Sequence, residues 1–126
     1  MKKLYLALTL LIIIPVLILA SHLYLKSATD EMCSQLIAAQ RYVRQGDKKE
    51  AAKEVAAFTK SWQKNGRVMA TFIRHSELDP VNISSARLKP LLDEDEEGDF
   101  LAECAGMVIQ LHHIWESDRF DLDNIF

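Results

Sequence analysis

From Leu4 to Leu25 the chain carries no Asp, Glu, Lys or Arg, and Lys2 and Lys3 stand directly before that run. At about 1.5 Å per residue a helix of this length crosses the roughly 30 Å hydrocarbon core of a bilayer. The stretch therefore predicts a transmembrane helix, and everything after it is tethered to a membrane. A cleaved signal peptide is the competing reading, but it needs small residues at the cleavage positions. Two places before Ala20 stands Ile18, and two before Ala28 stands Lys26, so the reading favours an uncleaved anchor over residues 1–26. Pro15 removes one backbone bond within the span, which membrane helices tolerate. His22 sits near the outer end, where its ring reaches interfacial water. Lys2, Lys3 and the terminal amine precede the span, whereas Lys26 is soon answered by Asp30 and Glu31. The basic bias places the amino terminus in the cytoplasm and residues 27–126 outside.

About 100 residues are left for the outer domain, enough for one modest core. Without Lys2, Lys3 and Lys26 it holds 12 basic and 18 acidic side chains, net −6, which argues against nucleic acid as a partner. The charge is uneven. Residues 41–74 carry nine basic and three acidic side chains, and residues 75–126 carry three basic and 13 acidic. Two solvated faces attracting each other within one fold is the plain reading; a polar dimer, or a basic face turned to anionic lipid, is the sharper one. Cys33 and Cys104 stand 71 positions apart. A bridge between them would remove about 4 kcal/mol of unfolded-state entropy in the chain model, but both fall on apolar helical stripes, which favours two buried thiols.

The apolar spacing of the domain is helical almost throughout. Met32, Leu36, Ala39 and Val43 continue the anchor into a first helix, which Gly46 ends, with Asp47 placed to cap the next. Ala51, Val55, Phe58 and Trp62 share a face of a second helix, predicted to run to about His75 because Val68, Met69, Phe72 and Ile73 extend its stripe. Asp79 and Pro80 form a start signal for a third helix through Ile83, Ala86 and Leu88 toward Leu92, with Pro90 bending or shortening it. The acidic run Asp93–Glu97 with Gly98 reads as a solvated turn, and Asp99 as the cap of a fourth helix bearing Phe100, Cys104, Met107, Leu111, Ile114 and Trp115. Phe120, Leu122, Ile125 and Phe126 make an apolar tail that should dock on the bundle. The expected core therefore includes Trp62, Phe72, Ile83, Leu111 and Ile114.

Tyr42, Gly46, Asp47 and Ala51 stand at the spacing of a tetratricopeptide-type hairpin, which implies two closely packed antiparallel helices rather than a peptide-binding array. The fold expected is all-α: one transmembrane helix followed by a small antiparallel bundle of about four helices, tetratricopeptide-like in part.

The polar residues offer one constellation. His75, Glu77 and Asp79 alternate, and His112, His113 and Glu116 share a helix, so a zinc-type site can be drawn. Such a site needs three or four converging ligands, and His113 projects about 100° from His112 on a helix. The favoured reading is a structural clasp in which His75 and Glu77 bond Arg87 or a helix end, with no metal and no cofactor. No nucleophile stands beside a base and no glycine-rich phosphate loop is present, so no catalytic residues are assigned.

Taken together, Trp62, the stretch His75, Glu77, Asp79, the segment Ile83, Ser84, Ala86, Arg87, Leu88, then His113, Ile114 and the closing Leu122, Asn124, Ile125 resemble the domain-of-unknown-function family 4363, short bacterial proteins with one amino-terminal span and a helical outer region. The resemblance covers essentially the whole chain, and adds His113 and Asn124 to the candidate structural or binding residues. Pro90 and Trp115 depart from the family's pattern. The resemblance implies a bacterial cell membrane and no established activity. Two functional classes fit: an interaction protein that binds or stabilises an envelope partner, with a homo-oligomer left open, and a membrane-tethered sensor of a small molecule or metal. A pocket lined by His75 and His113 would favour the sensor; a flat exposed apolar patch would favour the partner.

Overall fold

The computed structural model describes the backbone of residues 1–125 and the side chains of residues 1–117. Four helices follow one another: α1 (Lys2–Arg44), α2 (Lys48–Met69), α3 (His75–Asp93) and α4 (Glu97–Ile125), with no strand among the described residues. They run up and down in turn. Helix α1 packs on α2 and α4, α3 packs on α4 and more sparingly on α2, and among the described residues the backbones of the diagonal pairs stay apart.

Helix α1 has two environments. Through Pro15 it runs unbroken, and its apolar amino-terminal segment, long and apolar enough to cross a membrane, has none of its residues buried in the bundle. Packing begins within the last turn of the apolar run: the His22 ring lies against Trp115 at 5.6 Å between centroids, and Leu25 is fully enclosed. From there Leu25, Ala28, Thr29, Met32, Cys33, Leu36 and Ala39 form a buried stripe, the three-and-four spacing of one helix face.

Two turns at the far end of the bundle are closed by the same device. After α1, the Gly46 amide donates to the Val43 carbonyl (3.0 Å) and the Asp47 amide to the Tyr42 carbonyl (2.9 Å), with Gly46 at φ 75°. That paired arrangement, with a left-handed residue after the cap, is the Schellman turn. After α3, Asp95 at φ 57° takes glycine's place, its amide donating to Leu92 and that of Glu96 to Leu91. Lys48 joins the two turns, its Nζ 3.0 Å from Asp95 Oδ1 and 3.2 Å from the Asp93 carbonyl. Asp47 caps α2 by accepting the Glu50 amide.

Several element boundaries differ from the sequence reading. Helix α2 stops at Met69 rather than near His75: the Thr71 hydroxyl bonds the Val68 carbonyl, and Arg74 is extended at φ −63°, ψ 140°. Helix α3 then starts at His75, so Asp79 and Pro80 lie within it rather than capping it. Pro90 also lies inside α3, close to its end, where the missing amide costs a single bond. Helix α4 begins at Glu97, placing Asp99 in its first turn.

Two expected core residues are not core. Phe72 is 42% exposed and Ile83 63% exposed. Phe72 leaves the stripe because α2 has already ended; Ile83 lies two positions, hence about 200°, from the buried Val81 on α3, whose inner face is Leu78, Val81, Leu88 and Leu92. Trp62, Leu111 and Ile114 are buried together with Phe58, Phe100, Met69 and Met107. The tail residues Phe120, Leu122, Ile125 and Phe126 lie outside the described side chains.

Cys33 and Cys104 are free and buried. Burial, reinforced by Asp30, pushes the Cys33 thiol up to about 11, and burial with Glu103 pushes Cys104 up to about 12. Thiolate is the reactive form, so in folded full-length protein at pH 8 neither should react with Ellman's reagent, and both should after denaturation. Rapid reaction of either thiol in the folded chain would contradict their enclosure. Because the folded state holds these protons more tightly than the unfolded one, their contribution to stability is complete below the ordinary thiol range and is lost as pH rises through it toward the folded values.

Candidate functional site

The loosest seam in the bundle lies between α2 and α3. Gly66 and Ala70 put little bulk on that side of α2, and a groove of about 260 Å³ remains, lined by Trp62, Gln63, Gly66, Arg67, Ala70, His75, Leu78 and Asn82. The Trp62 indole is buried, and its Nε1 donates to Asn82 Oδ1 at 2.7 Å, tying the two helices together. A methyl group at Gly66 would meet that indole at 3.6 Å, ordinary contact, so the indole does not require glycine there. On the other side of α2, the Tyr24 hydroxyl donates to Asn65 Oδ1, and Gln35 Nε2 donates to Ser61 Oγ at 3.1 Å.

The structure does not gather His75, Glu77 and Arg87 into one clasp. His75 is exposed at the first position of α3, on the groove's edge. Glu77 faces α4 instead, its Oε2 3.7 Å from His113 Nε2. Arg87 lies farther along α3 and reaches Glu103, also on α4, at 3.5 Å. Asp79 is exposed, and Asn124 lies outside the described side chains. The reason is helical: with α3 beginning at His75, residues 75 and 77 project about 200° apart and cannot serve one partner.

In each pair the cation is largely exposed, His113 and Arg87 both being 60% accessible, while the carboxylate is more enclosed, Glu77 at 32% and Glu103 at 16%. A pair whose cation stands in water contributes little. Glu77→Gln and Arg87→Ala should therefore each lower stability by less than about 1 kcal/mol, and the double variant should lose the sum of the two, read by urea unfolding. A large, non-additive loss would restore the clasp.

Tyr24 to Asn65 and Trp62 to Asn82 are among the hydrogen bonds between helices that escaped the sequence reading, as is Gln35 to Ser61. The first had a signal: Asn65 falls three residues after Trp62 and four before Met69, on the buried face of α2, where an amide needs a partner. Asn82 carried none, being exposed.

Among the described residues no three His, Cys, Asp or Glu side chains come together as a metal would need. His113 does not line the groove with His75. The groove, and smaller hollows of about 140 Å³ at the far end and about 160 Å³ beside Tyr24, fall below the roughly 300 Å³ at which small-molecule sites begin.

What fold and surface define is an up-and-down helical bundle built on the continuation of one apolar helix. The sequence profile described as Domain of unknown function (DUF4363) matches residues 19–125, and the chain belongs to that family. Residues 1–18 lie outside the match, which thus takes in the bundle and the last turns of the apolar run. Searches of curated proteins and of solved structures found no significant match.

Proposed function

We propose that this protein is a single-pass, membrane-anchored helical interaction protein of the bacterial cell membrane, with its amino terminus cytoplasmic and its bundle outside, which binds or stabilises another membrane or envelope protein. The observation that carries the reading is the continuity of α1: one helix presents a fully uncovered apolar span and then becomes a wall of the bundle. A partner gripping either part is held rigidly with respect to the membrane. The outer surface supplies apolar contact points in Ile83 and Ile109, 63% and 69% exposed. The modest groove volumes weigh against small-molecule sensing, and no catalytic step is assigned.

The test is photo-crosslinking in intact membranes from a benzoylphenylalanine placed at Leu11, Ile83 or Ile109, with mass spectrometry of the adducts. A discrete protein adduct from at least one position is the expected result. Adducts to lipid or to nothing at all three, with the protein integrated in the membrane, would contradict the role.

A further inference from the structure

We propose that the outer face of α2 docks on the outer face of α4 in a second copy of this chain, seated beside it in the same membrane. This rests on the anchor reading of α1, which holds two copies upright and at one height.

Charge complementarity points to a second copy. Helix α2 holds six Lys or Arg against two Glu, and α4 holds seven Asp or Glu against Arg119 alone. The two helices stand diagonally, each packed on α1 and α3, so within one chain their charges are kept apart. Among the described residues a single ion pair, Lys48 with Asp95, joins residues 41–74 to residues 75–126. The exposed cations of α2 beyond Lys48 are Lys49, Lys53, Lys60, Lys64 and Arg67. The acids around them are Glu50, held by Lys53, the half-buried Glu54, and Glu31 of α1, which shares a hollow with Lys64. Arg74 and Asp79, one of each sign, flank the near end, and the face stays basic. Around α4 the exposed acids are Glu94, Glu96, Glu97, Asp99 and Glu116. The cations beside them are Lys26, Arg41 and Arg44 of α1, while Arg87 of α3 is already taken by Glu103. That face stays acidic. What one chain cannot pair, two chains can.

The register is set by the fold. Lys48 with Asp95 places the starts of α2 and α4 together at the far end. Tyr24 with Asn65, and His22 with Trp115, keep them level at the near end. The two helices therefore run parallel, and upright neighbours set Lys49 opposite the turn Glu94–Glu97 and Arg67 opposite Glu116. Between these ends, about 27 Å apart on α2, the α4 face is uncharged: Ala102, Ala105 and Ile109 are exposed at the spacing of one helix face. On α2 Ala52 and Ala56 stand at that level, and small side chains let the helices approach closely. The Lys60 stem lies along Ile109 with its ammonium in water. Because the two faces lie on opposite sides of the bundle, the contact is head-to-tail, and copies add into a ring or a row.

The experiment mixes two differently tagged full-length chains, one with Ala56→Cys and one with Ala102→Cys, in phosphatidylcholine vesicles with a short bis-maleimide; the buried Cys33 and Cys104 stay unreacted. Expected is a crosslinked product joining the two tags, several-fold weaker in molar salt because exposed charges are screened, with little product joining like tags. Lys49→Glu/Arg67→Glu in the Ala56→Cys chain should abolish it, and Glu97→Lys/Glu116→Lys in the Ala102→Cys chain should restore it. No product joining the tags, with both chains floating with the vesicles, overturns the contact and leaves the anchor. Product joining like tags as strongly as unlike ones overturns the head-to-tail arrangement. Product that ignores salt and charge reversal overturns the charge pairing. Chains that do not float with the vesicles overturn the anchor and the contact together.

Discussion

Replacing Trp62 by alanine should cost about 3 to 5 kcal/mol, the range for removing a buried large aromatic. The indole is 5% exposed and is the main bridge across the sparsely packed α2–α3 seam, through both its ring and its bond to Asn82. At about 4 to 8 °C per kcal/mol for a domain of this size, the melting temperature should fall by well over 10 °C. Trp62→Phe keeps most of the packing and leaves Asn82, which is exposed, to bond water; it should cost only about 1 kcal/mol. Trp115 remains as the fluorescent reporter in both variants. A loss below about 1 kcal/mol for the alanine variant would show that the seam does not depend on the indole.

Phe100→Ala should be as damaging, about 3 to 5 kcal/mol. Phe100 has no exposed surface and sits at the start of α4 against the ends of α1 and α3, where it borders a hollow with Val43, Leu91 and Leu92. Truncation would enlarge that hollow, and the two Schellman turns joined by Lys48 keep the helix ends from closing over it. Ile83→Ala is the control. At 63% exposure it should change stability by no more than about 0.5 kcal/mol, and the contrast, measured by urea unfolding of the full chain in detergent, separates the inner face of the bundle from its surface.

The sequence showed the helices more clearly than their ends. Apolar spacing alone identifies α1, α2 and α4, and Gly46 with Asp47 marks a turn because each residue has a local backbone duty there. The end of α2 was hidden: Val68, Met69, Phe72 and Ile73 continue the apolar pattern, whereas the stop comes from the Thr71 hydroxyl and the extended Arg74, which pattern does not register. A start at Asp79 leaves Leu78 outside α3, and without Leu78 beside Val81 and Leu88 the inner stripe of that helix is not apparent, so Ile83 reads as core. The clasp failed for the same reason, since reading His75 and Glu77 as helical would have set them on different faces. The partners they have instead, the groove edge and His113, belong to neighbouring elements whose placement depends on tertiary packing.

Impermeant thiol labelling of Glu96→Cys in whole cells tests the proposed arrangement most directly. Glu96 lies in the exposed far turn, and both native thiols are buried, so label can enter at that position alone. With the anchor seated and the bundle outside, Glu96→Cys should be labelled in intact cells as fully as after lysis. Labelling only after lysis would place the bundle in the cytoplasm and contradict the account.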